Sequence, residues 1–255
     1  MTALRVTQRN LLVYQRTWRG SVFGSFLNPL LYLGALGVGL GSFIAAQNTA
    51  ALGGVTYIEF LGPGLLAATC MQSASFEATY PILGKIIWRR NYDAMLATPL
   101  SVRDLVTGEL GYICVRLAMI SGVFLVVLTL FSITTSLLAL LAIPAAILTG
   151  LAFFSAIMAF TATQRNDAGF AALFRFVLNP LFLFSGTFFP IDRLPDSVQW
   201  VAAATPLYHG VALIRGMVLQ TPELAAWPIH LAYLLAFASV SALLTERLLR
   251  RRLAK

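Results

Sequence analysis

Charged side chains are scarce in this sequence. They make up 11% of its 255 residues, while hydrophobic residues make up 58%. A soluble domain carries roughly 25% charged residues. Because so few charged groups cannot cover a water-exposed surface, this composition excludes a soluble globular protein. It predicts instead an all-α integral membrane protein, a bundle of helices with lipid as its main solvent.

Residues that bind metals or attack substrates are also rare. The two histidines, His209 and His230, are distant in sequence and have no neighbouring cysteine or carboxylate. A metal site needs more ligands than these, so none is predicted. The two cysteines, Cys70 and Cys114, lie in apolar segments and are interpreted as small buried hydrophobic residues. We expect no catalytic site of this chain's own.

A nucleotide-binding loop is missing as well. Glycines cluster within residues 34–41, but no Lys-Ser or Lys-Thr pair follows them or occurs elsewhere in the chain. The phosphate-binding loop requires that pair, so we expect this chain to bind neither ATP in that manner nor any other cofactor. The glycine spacing is typical of close helix packing in membranes.

Six segments are apolar over the length of about 20 residues that a membrane-spanning helix needs. They cover residues 22–46, 57–84, 105–131, 137–163, 170–189 and 229–249. The second segment is long and becomes polar towards its end. The sequence therefore predicts one membrane domain over residues 1–255 with six transmembrane helices.

Positive charge is distributed unevenly about these six segments. Fifteen of the 18 lysines and arginines lie before the first segment, between the second and third, between the fourth and fifth, or after the sixth, when Arg175 and Arg247 at the near ends of the fifth and sixth segments are counted with them. Only Arg193 and Arg215 lie on the opposite side. Because cytoplasmic loops are rich in Lys and Arg, both termini are predicted to be cytoplasmic. This topology accounts for the net charge of +8, so no nucleic-acid partner is expected.

The segment of residues 3–19 precedes the first span and is predicted to be a separate helix. Its four arginines fall within one narrow arc at 100° per residue, and Leu4, Leu11, Tyr14 and Trp18 cluster on the far side. An amphipathic helix of this kind lies along the membrane interface. The alternative is a solvated basic tail, and the phased aromatic residues favour the interfacial helix.

The stretch of residues 190–228 is the longest connection on the outer side and is partly apolar. Five prolines divide it into pieces too short to cross a membrane: Pro190, Pro195, Pro206, Pro222 and Pro228. Short helices that re-enter the outer leaflet and pack against protein fit this pattern.

The loop of residues 85–104 mixes charges with large apolar side chains. Trp88, Tyr92, Met95 and Leu96 follow the spacing of one helical face. A proline then ends that helix, and Ser101 can cap the next one. This short amphipathic helix is predicted either to dock a soluble partner or to float on lipid headgroups. The residues alone favour neither interpretation.

Three ionisable residues lie within predicted spans, where charge is costly and has a function by default. Glu77 lies late in the second span, and Glu109 and Arg116 lie seven positions apart in the third. They are candidates for the polar lining of a cavity open to the cytoplasm. Alternatively, both glutamates lie in the headgroup zone and Arg116 pairs with a carboxylate. For Glu109 we prefer the headgroup interpretation. For Glu77 the sequence favours neither interpretation.

Two stretches carry a family resemblance. Residues 179–195 read NPLFLFSGTFFPIDRLP and residues 204–217 read ATPLYHGVALIRGM. Together they resemble the signature of type-2 ATP-binding-cassette (ABC) exporter permeases. The loop YDAMLATPLS at residues 92–101, with Asp104 and GEL at residues 108–110, is similar to the same group. Over essentially its whole length, the chain most resembles the nodulation lipo-oligosaccharide and daunorubicin-type drug exporter permeases.

The resemblance implies a half-transporter in the bacterial plasma (inner) membrane. Two permease copies, as a homodimer or a heterodimer, would combine with two ABC ATPase subunits that hold ATP and Mg²⁺. Residues 85–104 would be the coupling helix. Its docking residues would be Trp88, Arg89, Arg90, Tyr92, Asp93, Met95 and Leu96. The outer segment would close the exit of the pathway, with Phe188, Phe189 and Pro190 as gate candidates.

The implied cargo is amphipathic or hydrophobic: a drug, a lipid or a glycolipid. Two other classes are alternatives. An ion-coupled secondary transporter typically carries paired carboxylates in mid-membrane and broken helices in matching repeats, and neither is evident here. A membrane enzyme or assembly factor would need converging His, Asp or Ser residues, which the sequence does not supply.

Overall fold

The computed structural model describes residues 2–40, 54–134 and 136–253. In this part of the chain every regular element is helical and no strand occurs. The α-helices are α1 (Thr2–Tyr32), α2 (Tyr57–Ala78), α3 (Tyr80–Leu83), α4 (Asn91–Leu96), α5 (Val102–Leu130), α6 (Ala142–Thr163), α7 (Ala168–Leu173), α8 (Asn179–Phe184), α9 (Asp196–Ala203), α10 (Pro206–Leu219) and α11 (Trp227–Leu253).

Short π-helical and 3₁₀ segments extend several of these helices. The π-helical segments are Leu33–Leu40 after α1, Gly84–Trp88 after α3, and Phe174–Leu178 between α7 and α8. The 3₁₀ segments are Leu137–Leu141 before α6, Ile191–Arg193 before α9, and Pro222–Ala226 before α11. The π-helical segment Phe174–Leu178 joins α7 and α8 into one apolar rod, Ala168–Phe184.

The predicted separation of residues 3–19 from the first span is wrong. Helix α1 runs without a break from Thr2 to Tyr32. The reason lies in its composition: the first proline is Pro29, and glycines such as Gly20 are tolerated inside a helix at a cost of about 1 kcal/mol each. The end of the predicted span 22–46 and the connection that follows it lie at residues 41–53, outside the described part of the chain.

Three described helices are long and apolar enough to cross a membrane, and they coincide with three of the six predicted spans. They are Val102–Leu130, Leu137–Thr163 and Leu224–Leu253. Helices α9 and α10 together would make a fourth, but they are bent by 81° at their junction. The rod Ala168–Phe184 is apolar but shorter than these three helices, and α2 is too polar to count as a fourth span. The prediction of six spans is therefore confirmed only as far as a multi-helix membrane bundle.

One end of the bundle collects the segments that the charge distribution assigned to one side of the membrane. Thr2 at the start of α1 donates to Asp104 at the start of α5, at 2.6 Å. Near the end of α11, Arg252 donates to the carbonyl of Ala162 in α6, at 2.7 Å. We call this the basic end of the bundle, and the opposite end the outer end.

The core lies where α2, α5 and α6 meet. Met71, Phe124 and Phe154 from these three helices are all fully buried there. Helices α10 and α11 pack onto α6 from the side. Large apolar side chains such as Leu130 and Leu137 are exposed on the outside. In a membrane that surface faces lipid, because exposed apolar groups of this number would be unfavourable in water.

Helices α1 and α5 are in close contact at the basic end. The Thr7 hydroxyl donates to the carbonyl of Gly108 at 2.9 Å. A Cβ atom placed on Gly108 would lie 2.8 Å from the carbonyl oxygen of Ala3. Since a backbone atom cannot give way as a flexible side chain can, only glycine fits at this position without moving α1.

Gly108→Ala should therefore destabilise the protein by about 1–3 kcal/mol through overpacking. The matched control is Gly122→Ala on the same helix, where an added Cβ meets no atom within 4 Å among the described residues. The control should be neutral or slightly stabilising, because alanine favours helix more than glycine does. Unfolding of both variants in detergent measures the difference. Equal stabilities would show that the α1–α5 contact is not tight in the membrane.

Candidate functional site

The loop of residues 85–104 does not form the continuous amphipathic helix that its sequence predicts. The π-helical segment ends at Trp88, and Arg90 takes a left-handed conformation with φ of 46°. Only then does α4 begin, at Asn91. Because the chain changes direction between them, Trp88 does not share a helical face with Tyr92, and that part of the prediction is wrong.

The predicted cap of α5 is present. Ser101 has extended backbone angles, and its hydroxyl accepts a hydrogen bond from the Asp104 backbone N–H at 3.1 Å. The Asp104 carboxylate in turn accepts from the Ser101 backbone N–H, also at 3.1 Å. This reciprocal arrangement is a capping box. It fixes the point at which the loop becomes the spanning helix α5.

A buried polar cluster joins the loop to α5. Lys85 of the π-helical segment donates to both carboxylate oxygens of Glu109, at 2.8 and 2.7 Å. The Tyr92 hydroxyl of α4 donates to Glu109 at 3.1 Å. We call these three side chains the loop brace. Since Glu109 is 1% exposed, it does not face water, and its position in the headgroup zone stays a prediction.

Tyr92 has a different position from the one predicted for a docking residue. Its side chain is 0% exposed. Burial and the adjacent negative charge of Glu109 raise the pKa of Tyr92 well above its usual value. The phenol therefore stays protonated and donates to the carboxylate. The docking prediction for Tyr92 is corrected: it supports the loop from within and offers no surface to a partner.

The other predicted docking residues keep access to the surface. Trp88 is 60% exposed. Arg89, Arg90 and Asp93 are exposed beside it, and Met95 and Leu96 are half-buried. An exposed indole beside two arginines is the composition of a protein-binding hot spot. This surface is held against the bundle by the loop brace beneath it.

Glu77 and Arg116 form an ion pair between α2 and α5. Both side chains are largely buried, and both line a cleft of about 480 Å³ at the basic end. Arg116 also lies over the ring of Tyr14 of α1, with its guanidinium carbon 5.5 Å from the ring centre. The two residues thus line one cleft, and Arg116 is paired with a carboxylate. A role of this cleft in a pathway open to the cytoplasm stays a prediction. Glu109 lies behind Lys85 and is not among the residues that line this cleft.

The outer gate candidates lie in the turn between α8 and the 3₁₀ segment Ile191–Arg193. Phe188 packs edge-on against Phe182, with ring centres 4.9 Å apart, and Phe189 packs against Phe184 at 6.5 Å. Pro190 follows and is half-buried. These contacts hold the turn, residues 185–190, against the Ala168–Phe184 rod, and we call these residues the gate turn. A role as a gate stays a prediction.

Arg215 of α10 has a role that the sequence analysis missed. The charge distribution placed it on the outer side without a partner, and in the structure it is buried. Its guanidinium donates to the carbonyls of Gly186 at 2.7 Å and Phe60 at 3.2 Å, and it lies 3.7 Å from the centre of the Phe60 ring. Arg215 therefore links α10, α2 and the gate turn. The sequence did contain a sign of this role. Arg215 is the one charged residue in the apolar stretch of residues 204–219, and a lone charge in such a stretch is usually paired or functional.

The two histidines meet although 21 positions separate them. His209 of α10 and His230 of α11 bring their Nδ1 atoms to 2.8 Å, and the His209 ring stacks on Tyr233 at 3.9 Å between centres. Within the described residues no group of three or more metal-binding side chains occurs. The pair is therefore a contact between α10 and α11.

The fold and these sites define a multi-pass membrane protein with a braced loop at its basic end. A comparison with protein families gives the class a name: the family described as ABC-2 type transporter matches residues 3–219. The chain belongs to the ABC-2 type transporter family, and it is a membrane-embedded subunit of that class of transporter.

Curated relatives match over nearly the whole chain. Nodulation protein J of Rhizobium leguminosarum bv. viciae is 34% identical over 252 residues, which cover 99% of this chain and 95% of the relative. Nodulation protein J of Rhizobium meliloti is 33% identical over 250 residues, covering 98% and 93%. No solved structure matches the chain.

Proposed function

We propose that this chain is the permease half of an exporter that is driven by a separate ABC ATPase subunit. The observation that carries the proposal is the braced loop: Trp88 and its neighbouring arginines are exposed, while the loop brace ties the same loop to α5. A docking surface has to be accessible to the partner and fixed to the moving helices, and this loop meets both conditions.

The proposed complex contains two permease copies, identical or related, and two ATPase subunits that bind ATP and Mg²⁺. The basic end faces the cytoplasm and carries both termini, and the membrane is the bacterial inner membrane. Two contacts support this orientation: the start of α1 binds the start of α5, and Arg252 near the end of α11 binds the end of α6. The segments at these helix ends are rich in arginine, as cytoplasmic segments usually are.

The proposed cargo is amphipathic or hydrophobic. An apolar groove of about 690 Å³ lies between α6, α10 and α11, lined by side chains such as Leu148, Leu213 and Trp227. The basic cleft lies at the other end of the bundle. The apolar part of such a cargo would find a suitable surface in the apolar groove.

The mechanism follows from these contacts. ATP binding closes the ATPase dimer and moves the loop that is docked on it. The motion reaches α5 through Glu109, because Lys85 and Tyr92 both bind that carboxylate. At the outer end, Arg215 couples α10 and the gate turn to α2. A shift of the bundle between two packed arrangements then opens the pathway on alternate sides.

Trp88→Glu should weaken binding of the ATPase at least about 30-fold, since a tryptophan hot spot contributes roughly 2 kcal/mol or more. The matched control is Trp200→Glu, which changes a tryptophan of α9 at the outer end that is also exposed, at 80% against 60% for Trp88. Co-purification of the ATPase with the tagged permease measures the effect, and ATPase activity in vesicles reports coupling. Normal assembly and coupled transport by Trp88→Glu would refute the docking role.

A further inference from the structure

The cleft at the basic end contains polar donors that the rest of the described chain does not satisfy. It lies between α1, α2 and the start of α5. Among the described residues, no hydrogen-bond acceptor reaches Asn10 Nδ2 or Arg116 Nε, although both atoms are buried. Asn10 is only 3% exposed, and a buried donor without an acceptor is unfavourable. Both atoms are N–H donors, so the missing partner is an acceptor such as an oxygen atom.

The charge of the cleft points to the same kind of partner. Four cations line it: Arg9, Lys85, Arg89 and Arg116. Lys85 is neutralised by Glu109 and Arg116 by Glu77. Within the described chain Arg9 and Arg89 take part in no ion pair, so the cleft has an excess of two positive charges. Arg9 instead donates to Asn10 Oδ1 at 3.1 Å, which leaves the Asn10 amide N–H groups as donors.

The remaining lining is aromatic and apolar. Phe76, Tyr80, Trp88 and Tyr112 surround the polar groups, and Phe76 and Trp88 are exposed at its rim. Exposed aromatic side chains of this kind suit the level of lipid headgroups in a membrane. A cleft that combines such a rim with unpaired arginines and buried donors suits a small anion carried by a lipid.

We propose that this cleft binds the phosphate of an anionic lipid headgroup. Arg9 and Arg89 neutralise the phosphate, and Asn10 Nδ2 and Arg116 Nε donate hydrogen bonds to its oxygens. Phosphate oxygens supply several strong acceptors for such donors. The proposal requires only that the chain lies in a membrane, and it goes beyond the proposed export function. A free phosphate ion has the same chemistry, so the test separates the two sources.

The test measures binding to the full chain purified in a neutral detergent, using the tryptophan fluorescence of the protein. Three probes are titrated: a short-chain phosphatidylglycerol, the matching phosphatidylcholine, and inorganic phosphate. We expect phosphatidylglycerol to bind at least about tenfold more tightly than phosphatidylcholine. Phosphatidylglycerol has a net negative charge, whereas the choline group of phosphatidylcholine neutralises its phosphate. We also expect its binding to weaken as salt is raised.

The variant is Arg9→Gln with Arg89→Gln, and the control is Arg103→Gln with Arg165→Gln. The control removes two exposed arginines from the same end but outside the cleft. The variant should weaken phosphatidylglycerol binding about tenfold or more, as expected for lost charge-assisted hydrogen bonds, and the control should not. Asn10→Asp, which is isosteric but anionic, should weaken it as well. Thermal unfolding checks that each variant is folded.

Several outcomes would overturn the proposal. Equal binding of the two lipids would show that no anionic headgroup is recognised. Equal losses in the variant and control pairs would show that only the overall charge of the basic end matters. Binding of inorganic phosphate as tight as that of the lipid would assign the cleft to a free anion. ATP hydrolysis by an added partner is not part of the readout, so failure here is distinct from failure of the proposed export function.

Discussion

Replacing Glu109 by leucine should destabilise the permease by about 3–5 kcal/mol, the usual cost of removing one partner from a buried ion pair. Lys85 would keep a charge in a place that is only 14% exposed, and the fully buried Tyr92 hydroxyl would lose its acceptor. The loop brace would then be lost. Unfolding in detergent measures the stability, and ATP-dependent transport with the partner present measures the coupling.

Two companion variants separate the ion pair from a general loss of charge. Lys85→Leu combined with Glu109→Leu should recover much of the stability, because no unpaired charge stays buried. Glu246→Gln breaks an i,i+4 pair at the surface, in which Arg250 is 64% and Glu246 19% exposed. Such a pair contributes at most about 1 kcal/mol, so this control should be close to wild type. A Glu109→Leu protein as stable as the control would contradict the loop brace.

Replacing Arg215 by methionine should also reduce the stability of the permease strongly. The substitution keeps an apolar stem of similar length but removes two charge-assisted hydrogen bonds to carbonyl groups. Each bond of this kind contributes about 1.5–3 kcal/mol. The carbonyls of Phe60 and Gly186 would also lose this donor at a buried site. We expect a loss of about 3 kcal/mol or more in stability, together with a misplaced gate turn and weakened transport.

Arg193→Met is the matched control for Arg215→Met. Both replace an arginine of the outer end, but Arg193 is exposed in the 3₁₀ segment Ile191–Arg193. The control should change stability by less than about 0.5 kcal/mol, as exposed substitutions usually do. If the two variants unfolded at the same denaturant concentration, Arg215 would have no linking role between α10, α2 and the gate turn.

Apolar length and charge distribution predicted the class of the fold well. The helices Val102–Leu130, Leu137–Thr163 and Leu224–Leu253 occur where three spans were expected. The Ser101 cap of α5 was also predictable, since it depends on residues three positions apart. The continuity of α1 was missed because a change in composition, from basic to apolar, was interpreted as a change of element. No proline lies between the basic and apolar parts of α1, so nothing there ends the helix.

Partners of buried charges were the least predictable part of the site. The sequence marked Glu109 as unusual, but its partner Lys85 lies 24 positions away in a loop. No local pattern identifies such a contact, which depends on how α5 and the loop pack. The position of Tyr92 was also not predictable from the local pattern. Its helical spacing with Trp88 indicated a shared surface, whereas the reversal at Arg90 turned it inward.

The division of labour between a membrane-embedded permease and a separate ATPase is tested most directly by reconstitution. The chain is placed in liposomes with and without its ABC ATPase, and movement of a fluorescent amphipathic lipid to the far leaflet is followed after ATP is added. Movement should require both proteins and ATP, and Glu109→Leu should abolish it. ATP-driven movement by the chain alone would contradict the account.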